Sequence, residues 1–239
     1  MAAAPFWNIY AGMEFLTPGA RETVDIASTL VPRTSGARIL DVAYGKGTGS
    51  FLLAERHDCI ILGLDVHSFA ARVARYATTS GCADRVAFAI GDGGRLPVRA
   101  AAFDVAMCVG GPSIIGTDRC IAEMARVLRP GGAAVVSDWV WARKPVPPGA
   151  IPLGYDVDLL TLDEYAGIMR RAGLEVVSAE PLPQSAWDAY YGPIRGTVAS
   201  MRAHDRTAPY QPVEDEIRLY DAGVGPEWWR YAVFVGRKP

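Results

Sequence analysis

Between residues 38 and about 140 the chain alternates short β-branched apolar runs with stretches of helical spacing, and few architectures accommodate that pattern. Strands joined by amphipathic helices pair in parallel, and a parallel sheet is apolar on both faces, so helices must cover it. The runs predict strands at 38–43, 59–65, 86–90, 103–109 and 133–138. Between them GSFLLAERH, SFAARVARYATTSG and DRCIAEMARVLRPGG have helical spacing, with Ser68 and Asp118 as the expected N-caps. RPGG at 129–132 is expected to stop the last of these helices and turn the chain into the next strand.

A further helix fits TLDEYAGIMRRAG, where Thr161 and Glu164 have the spacing of a capping box and Gly173 marks the end. LEVVSAE reads as a sixth strand and WWRYAVFVGRK as a seventh. The expected fold is therefore α/β: a doubly wound, mostly parallel, seven-stranded sheet with helices on both faces and a helical, aromatic cover. Segments 1–35 and 182–226 fall outside the alternation and are read as that cover; 142–154, ARKPVPPGAIPLG, is read as a semi-extended loop. A length of 239 residues fits a single domain.

ILDVAYGKGTG, residues 39–49, follows the first strand with Asp41, Gly45, Gly47 and Gly49 and leads into an apolar helix. Glycines there let backbone approach a ligand at a helix N-terminus. Asp65, about 20 residues on, ends the second strand, where a carboxylate can accept hydrogen bonds from both hydroxyls of a ribose. That pair of features suits a nicotinamide dinucleotide and S-adenosylmethionine equally.

The later segments VAFAIGDGGRLPV, AAFDVAMCVGG and VLRPGGAAVVSDW separate the two. Taken in order with the glycine loop, they make the chain similar to the class I S-adenosylmethionine-dependent methyltransferases over residues 38 to about 140. The resemblance implies S-adenosylmethionine as cofactor and a division into an N-terminal cover (1–35), a cofactor-binding core (36–140) and a substrate-side cover with the last strands (141–239). It implies that Gly45 and Gly47 pass under the methionine part, Asp65 binds the ribose diol and Asp92 meets the adenine amine. Asp41, Ala43, Gly93 and Val109 would complete the site, with Val66 against the adenine ring. The chain departs from the family's pattern at Ala43, where glycine is usual, and at Tyr44, where a small residue is usual. Alanine at position 43 is tolerable if the backbone there is extended, because its Cβ disfavours positive φ.

The implied reaction moves a methyl group to an O, N, S or C nucleophile, and a protein can promote it largely by alignment. Asp138 at the end of the fifth strand and His204 in the cover are the candidate bases. Tyr10, Ser113, Trp139 and Tyr190 are candidate substrate contacts. With Phe6, Trp7, Trp141, Trp187 and Tyr191, the aromatic members of that set would form a lid that excludes water.

A net charge of −2 gives no broad attraction to phosphate backbones or anionic lipid, so the expected partner is a small-molecule acceptor rather than nucleic acid or membrane. No NPPY-like stretch follows the fourth strand, which counts against adenine or glutamine N-methylation. Cys59, Cys82, Cys108 and Cys120 have no metal-ligand spacing and read as buried thiols. MAAAPFWNIY lacks a signal-peptide pattern and no apolar run reaches membrane-helix length, from which a cytoplasmic protein is expected, monomeric or homodimeric. Two alternatives stand beside the methyltransferase: a nicotinamide-dependent oxidoreductase, and a cofactor-binding or scaffold protein without activity.

Overall fold

The computed structural model describes residues 9–10, 12–34, 36–67, 81–151, 159–204 and 210–239, apart from the side chain of His204. The helix expected over 68–80 with its cap Ser68, and Phe6 and Trp7, lie outside the described residues. The elements run α1 (Ala20–Leu30), β1 (Ala37–Val42), α2 (Thr48–Arg56), β2 (Cys59–Asp65), β3 (Val86–Ile90), β4 (Phe103–Val109), α3 (Pro112–Ile115), α4 (Thr117–Val127) and β5 (Leu128–Trp141). They continue through α5 (Leu162–Arg171), β6 (Glu175–Pro181), α6 (Gln184–His204), α7 (Gln211–Asp221), α8 (Val224–Trp228) and β7 (Trp229–Arg237).

Seven strands form one sheet in the order β3-β2-β1-β4-β5-β7-β6. β1 to β5 pair in parallel, and β7 inserts antiparallel between β5 and β6. The order turns back on itself between β1 and β4, and at such a point the loops leaving the two strands diverge and open a crevice.

Alternate residues of each central strand serve opposite layers, as the pleat requires. Ile39, Val105, Met107 and Val135 pack with Val24 and Ala27 of α1 and Phe51 and Leu53 of α2. Leu40, Val42, Ala106, Cys108 and Val136 pack with Ile121 and Met124 of α4 and Ile168 and Met169 of α5. All four cysteines are buried thiols. The capping box forms as expected, with the Thr161 side chain accepting from the Glu164 backbone and the Glu164 carboxylate accepting from Thr161 N–H.

Two boundaries differ from expectation. α4 starts at Thr117 with Gly116 as N-cap, so Asp118 sits in the first turn, where its charge faces the positive end of the helix. β5 begins at Leu128, ahead of RPGG, and runs to Trp141 because β7 pairs with it from Ala133 to Trp141.

At the exit of β1 the chain takes a left-handed turn. Ala43 has φ +58°, followed by Gly45 at +53° and Gly47 at +76°. The extended backbone that would make alanine harmless is absent, and a Cβ in this region costs roughly 1 kcal/mol relative to glycine. The turn is held by Ala43 N–H donating to Leu64 O at 2.7 Å and Gly47 N–H donating to Tyr44 O at 2.8 Å. Tyr44 turns inward, 9% exposed, with its ring 4.5 Å from that of Phe88.

Asp41, two residues earlier within β1, is 3% exposed and accepts from Ser50 Oγ at 2.6 Å. Burial pushes its carboxyl up from 3.8 to about 7, with the Ser50 hydrogen bond opposing and the Asp65 charge adding. The folded state therefore holds a proton that the unfolded chain has lost, and stability falls as pH rises between about 4 and 7. Asp41→Asn keeps an acceptor for Ser50 and removes the ionisation. It should be more stable than wild type at pH 8, by on the order of a few kcal/mol in unfolding free energy from chemical denaturation, with the difference closing toward pH 4. A variant less stable than wild type at pH 8 contradicts this. Ala43→Gly should raise stability by up to about 1 kcal/mol through relief of the positive φ; chemical denaturation that shows a loss instead would mean that the Cβ packs better than its backbone is strained.

Candidate active site

A cleft of about 440 Å³ opens at the carboxyl ends of β1, β2 and β4, in the size range of sites that hold a small ligand. A larger groove of about 820 Å³ lies on the outside of α6 and α7, but its arginines, Arg195, Arg202 and Arg218, are committed to Asp221, Glu214 and Asp215. The cleft is the better-built site.

Asp65, 7% exposed, closes β2 and ties two loops together. Its Oδ2 accepts from Gly45 N–H at 3.0 Å and its Oδ1 from His67 N–H at 2.9 Å. Each carboxylate oxygen keeps a lone pair for a further donor, which is what a vicinal diol presents. Val66 beside it is 59% exposed and lines the cleft, an apolar surface suited to a flat ring. Ala43, Gly45, Gly93 and Val109 also line it. These residues fit an adenosyl group: acceptors where hydroxyls would lie, an apolar face for the ring, and bare backbone at the glycines.

Three expected cofactor contacts sit elsewhere. Asp92 does not line the cleft, although Gly91 and Gly93 on either side do; its Oδ1 accepts from Gly94 N–H at 2.8 Å in a tight local turn. Gly47 lies behind the loop, where a Cβ would meet the Phe88 ring at 2.8 Å, so its role is close packing and the left-handed entry to α2. Asp41 lines a separate cavity of about 50 Å³ beneath the loop, shared with Glu14, Leu16 and Thr17. Segment 12–19 covers this side. Lys46 Nζ donates to the carbonyls of Tyr10 and Met13, and Thr48 Oγ1 donates to Glu14 O at 2.9 Å.

The other end of the cleft is aromatic. Tyr10, Trp139, Trp187, Tyr190 and Tyr231 line it with Leu159, Ser113, Asp138 and Glu216. The rings of Tyr10 and Tyr190 stack at 6.5 Å, and Trp187 meets Trp139 and Tyr231 edge-on at 5.8 Å. All four expected substrate contacts are brought together here. Trp141 and Tyr191 are buried in the layer behind. His204 ends α6, and its side chain lies outside the described residues.

Asp138 lines the cleft, yet its carboxylate is already engaged. Oδ2 accepts from Ser113 N–H at 2.7 Å, and Oδ1 from Ser113 Oγ at 2.8 Å and Trp139 N–H at 2.9 Å. Burial pushes its carboxyl up to about 6, against the pull of those hydrogen bonds. The arrangement fixes the turn from β4 into α3. Tyr231 and Glu216 were not among the residues singled out from sequence, whereas Trp187 was expected in the aromatic lid. Tyr231 comes from β7, and a Cβ at Gly110 would lie 2.5 Å from its hydroxyl. Glu216 is 5% exposed and accepts from Tyr191 Oη at 2.5 Å.

A methyltransferase-domain family model matches residues 39–132, the segment that carries the glycine loop, Asp65 and β4. The chain is 27% identical over 236 residues to the 27-O-demethylrifamycin SV methyltransferase of Amycolatopsis mediterranei, covering 90% of this chain and 82% of that one. It is 31% identical to the methyltransferase GfsG of Streptomyces halstedii over 154 residues, 60% of this chain and 55% of that protein. The crystal structure of a SAM-dependent methyltransferase from Geobacter sulfurreducens in complex with S-adenosylhomocysteine superposes with a TM-score of 0.76 at 26% identity, covering 99% of this chain and 98% of that one. The matched methyltransferase domain, the sheet order and the cleft at the ends of β1, β2 and β4 agree, and the findings support a class I S-adenosylmethionine-dependent methyltransferase.

Proposed function

We propose that the protein transfers a methyl group from S-adenosylmethionine to a small organic acceptor seated at the aromatic end of the cleft. The observation that carries this reading is the continuity of one cleft from Asp65 and Val66 to Trp187 and Tyr190. The similarity to a 27-O-demethylrifamycin SV methyltransferase supports an acceptor of the small-molecule class.

When bound, the cofactor supplies an activated methyl group on a sulfonium with a neutral leaving group. The chain's part is placement. Asp65 holds the ribose diol through lone pairs left beside Gly45 and His67, and Val66 supports the adenine. Asp138 acts as a positioning residue: by holding Ser113 and Trp139 it fixes the Gly110–Gly111 turn that lines the cleft between the two ends. The tyrosine hydroxyls are donors rather than bases. Burial pushes Tyr10 up to about 12, with the Tyr190 hydrogen bond opposing and the Glu216 charge adding, and burial raises Tyr231 as well. Alignment in a water-poor aromatic pocket accounts for most of the rate enhancement in this reading. One domain in which the N-terminal segment and α6–α8 cover a shared core serves it.

Calorimetric titration tests the cofactor half of the proposal. S-adenosylhomocysteine should bind and NAD should not. Asp65→Ala should weaken binding at least about tenfold, because two ordered loops and two hydroxyl contacts lose their acceptor. Asp92→Ala should cost less than Asp65→Ala, and Tyr44→Phe should leave affinity within about twofold, since the ring contact with Phe88 is kept. Preference for NAD, or an Asp65→Ala variant that binds as tightly as wild type, would sink the assignment.

A further inference from the structure

The connection from β3 to β4, residues 91–102, crosses the sheet without forming a helix. A crossover between parallel strands usually supplies the helix that covers the strands it passes, and here the cover is partial. Leu96 packs into the core with Leu40 and Leu64, which closes the carboxyl half of β2. The amino half stays open. Ile60 lies two residues before Leu62 on the same face of β2 and beside Arg38 of β1, and it is 53% exposed. A pocket of about 290 Å³ results, lined by Ile60, Leu62, Phe103, Val98, Arg38 and Arg99, near the lower bound for sites that hold a small ligand. It sits toward the amino ends of β1, β2 and β4, the opposite end of the sheet from the cleft.

The loop that walls this pocket is pinned. Glu123 of α4 accepts from Leu96 N–H at 2.7 Å, Arg126 donates to the carbonyls of Leu96 at 3.0 Å and Val98 at 2.9 Å, and Ala102 N–H donates to Val127 O at 2.7 Å. A preformed pocket spares a ligand the cost of ordering it. Its charge is one-sided. Arg126 is paired with Glu123 and Arg129 with Asp104, whereas the guanidinium groups of Arg38 and Arg99 have no hydrogen bond or ion pair. Among the described residues that line the pocket there is no carboxylate, and nearby Asp104, which accepts from Arg38 N–H at 2.8 Å, is balanced by Arg129 at 2.9 Å. A guanidinium presents a planar fork of donors that matches the two oxygens of a carboxylate, and the apolar residues between the two arginines suit a flat ring. We propose that this pocket binds a small aromatic carboxylate, with its ring on Ile60, Leu62 and Phe103 and its charge between Arg38 and Arg99. The pocket shares no lining residue with the cleft, so its ligand and the cofactor can be held at once.

Three probes with one ring system and different charge test this by calorimetric titration: 2-naphthoate, 2-naphthylmethanol and 2-naphthylmethylamine. Naphthoate should bind at least about tenfold tighter than the alcohol, and the amine weakest of the three. Arg38→Gln combined with Arg99→Gln should bring naphthoate to within about twofold of the alcohol. Ile60→Glu, which sets a carboxylate among the apolar residues at an exposed position, should weaken naphthoate at least about tenfold, and a melting transition checks that each variant folds. Ile114→Asp, 82% exposed at the cleft, controls for binding there and should leave naphthoate within about twofold of wild type. Naphthoate that binds no tighter than the alcohol, that binds the double arginine variant as tightly as wild type, or that is lost with Ile114→Asp instead would overturn the proposal.

Discussion

The carboxylate of Asp65 is the interaction on which the site depends. It ends β2, accepts from Gly45 across the glycine loop and from His67 in its own loop, and so fixes the spacing between two chain segments that would otherwise diverge. The left-handed turn at Ala43, Gly45 and Gly47 is strained at its first residue, and the hydrogen bond from Gly45 to Asp65 is part of what offsets that strain. Remove the carboxylate and the loop loses its anchor and the ribose its partner together. The cost of bringing a second buried carboxylate close by shows at Asp41, whose affinity for protons is raised in part by the Asp65 charge.

From that anchor the cleft runs toward β4, β5 and β7, and its character changes from a backbone cradle to a ring of aromatics with buried acids. The change follows the topology. β1, β2 and β4 contribute their carboxyl ends and loops, while α6 and α7 contribute Trp187, Tyr190 and Glu216 from the cover. Backbone positioning at one end and an aromatic pocket at the other is an arrangement suited to a methyl transfer driven by proximity. Lys46 ties the two together in a different way, by donating from beside the glycine loop to the carbonyls of Tyr10, which lines the aromatic end, and Met13.

The sheet was legible in the sequence because its central strands are short β-branched apolar runs, buried on both faces and punctuated by glycine and proline. β5 was the exception: RPGG reads as a break, yet Leu128 ahead of it pairs with Phe103 of β4 across a register shift, and the strand continues beside β7 to Trp141. The backbone at Ala43 was not legible, because residue identity states the cost of a positive φ without saying whether the turn demands it. Asp92 was placed by resemblance, and its Oδ1 accepts from Gly94 N–H in a local turn beside the cleft. Glu216 was missed because QPVEDEIRLYD looks like a solvated charged face. The signal was present in its spacing, since Val213, Glu216 and Tyr220 are buried together on one side of α7.

The most direct measurement is a crystal structure of the protein with S-adenosylhomocysteine, read at one distance. The account predicts both ribose hydroxyls within about 2.5–3.0 Å of the Asp65 carboxylate, with the adenine against Val66. A ligand whose ribose lies away from Asp65, or one held in the groove outside α6 and α7, would contradict it.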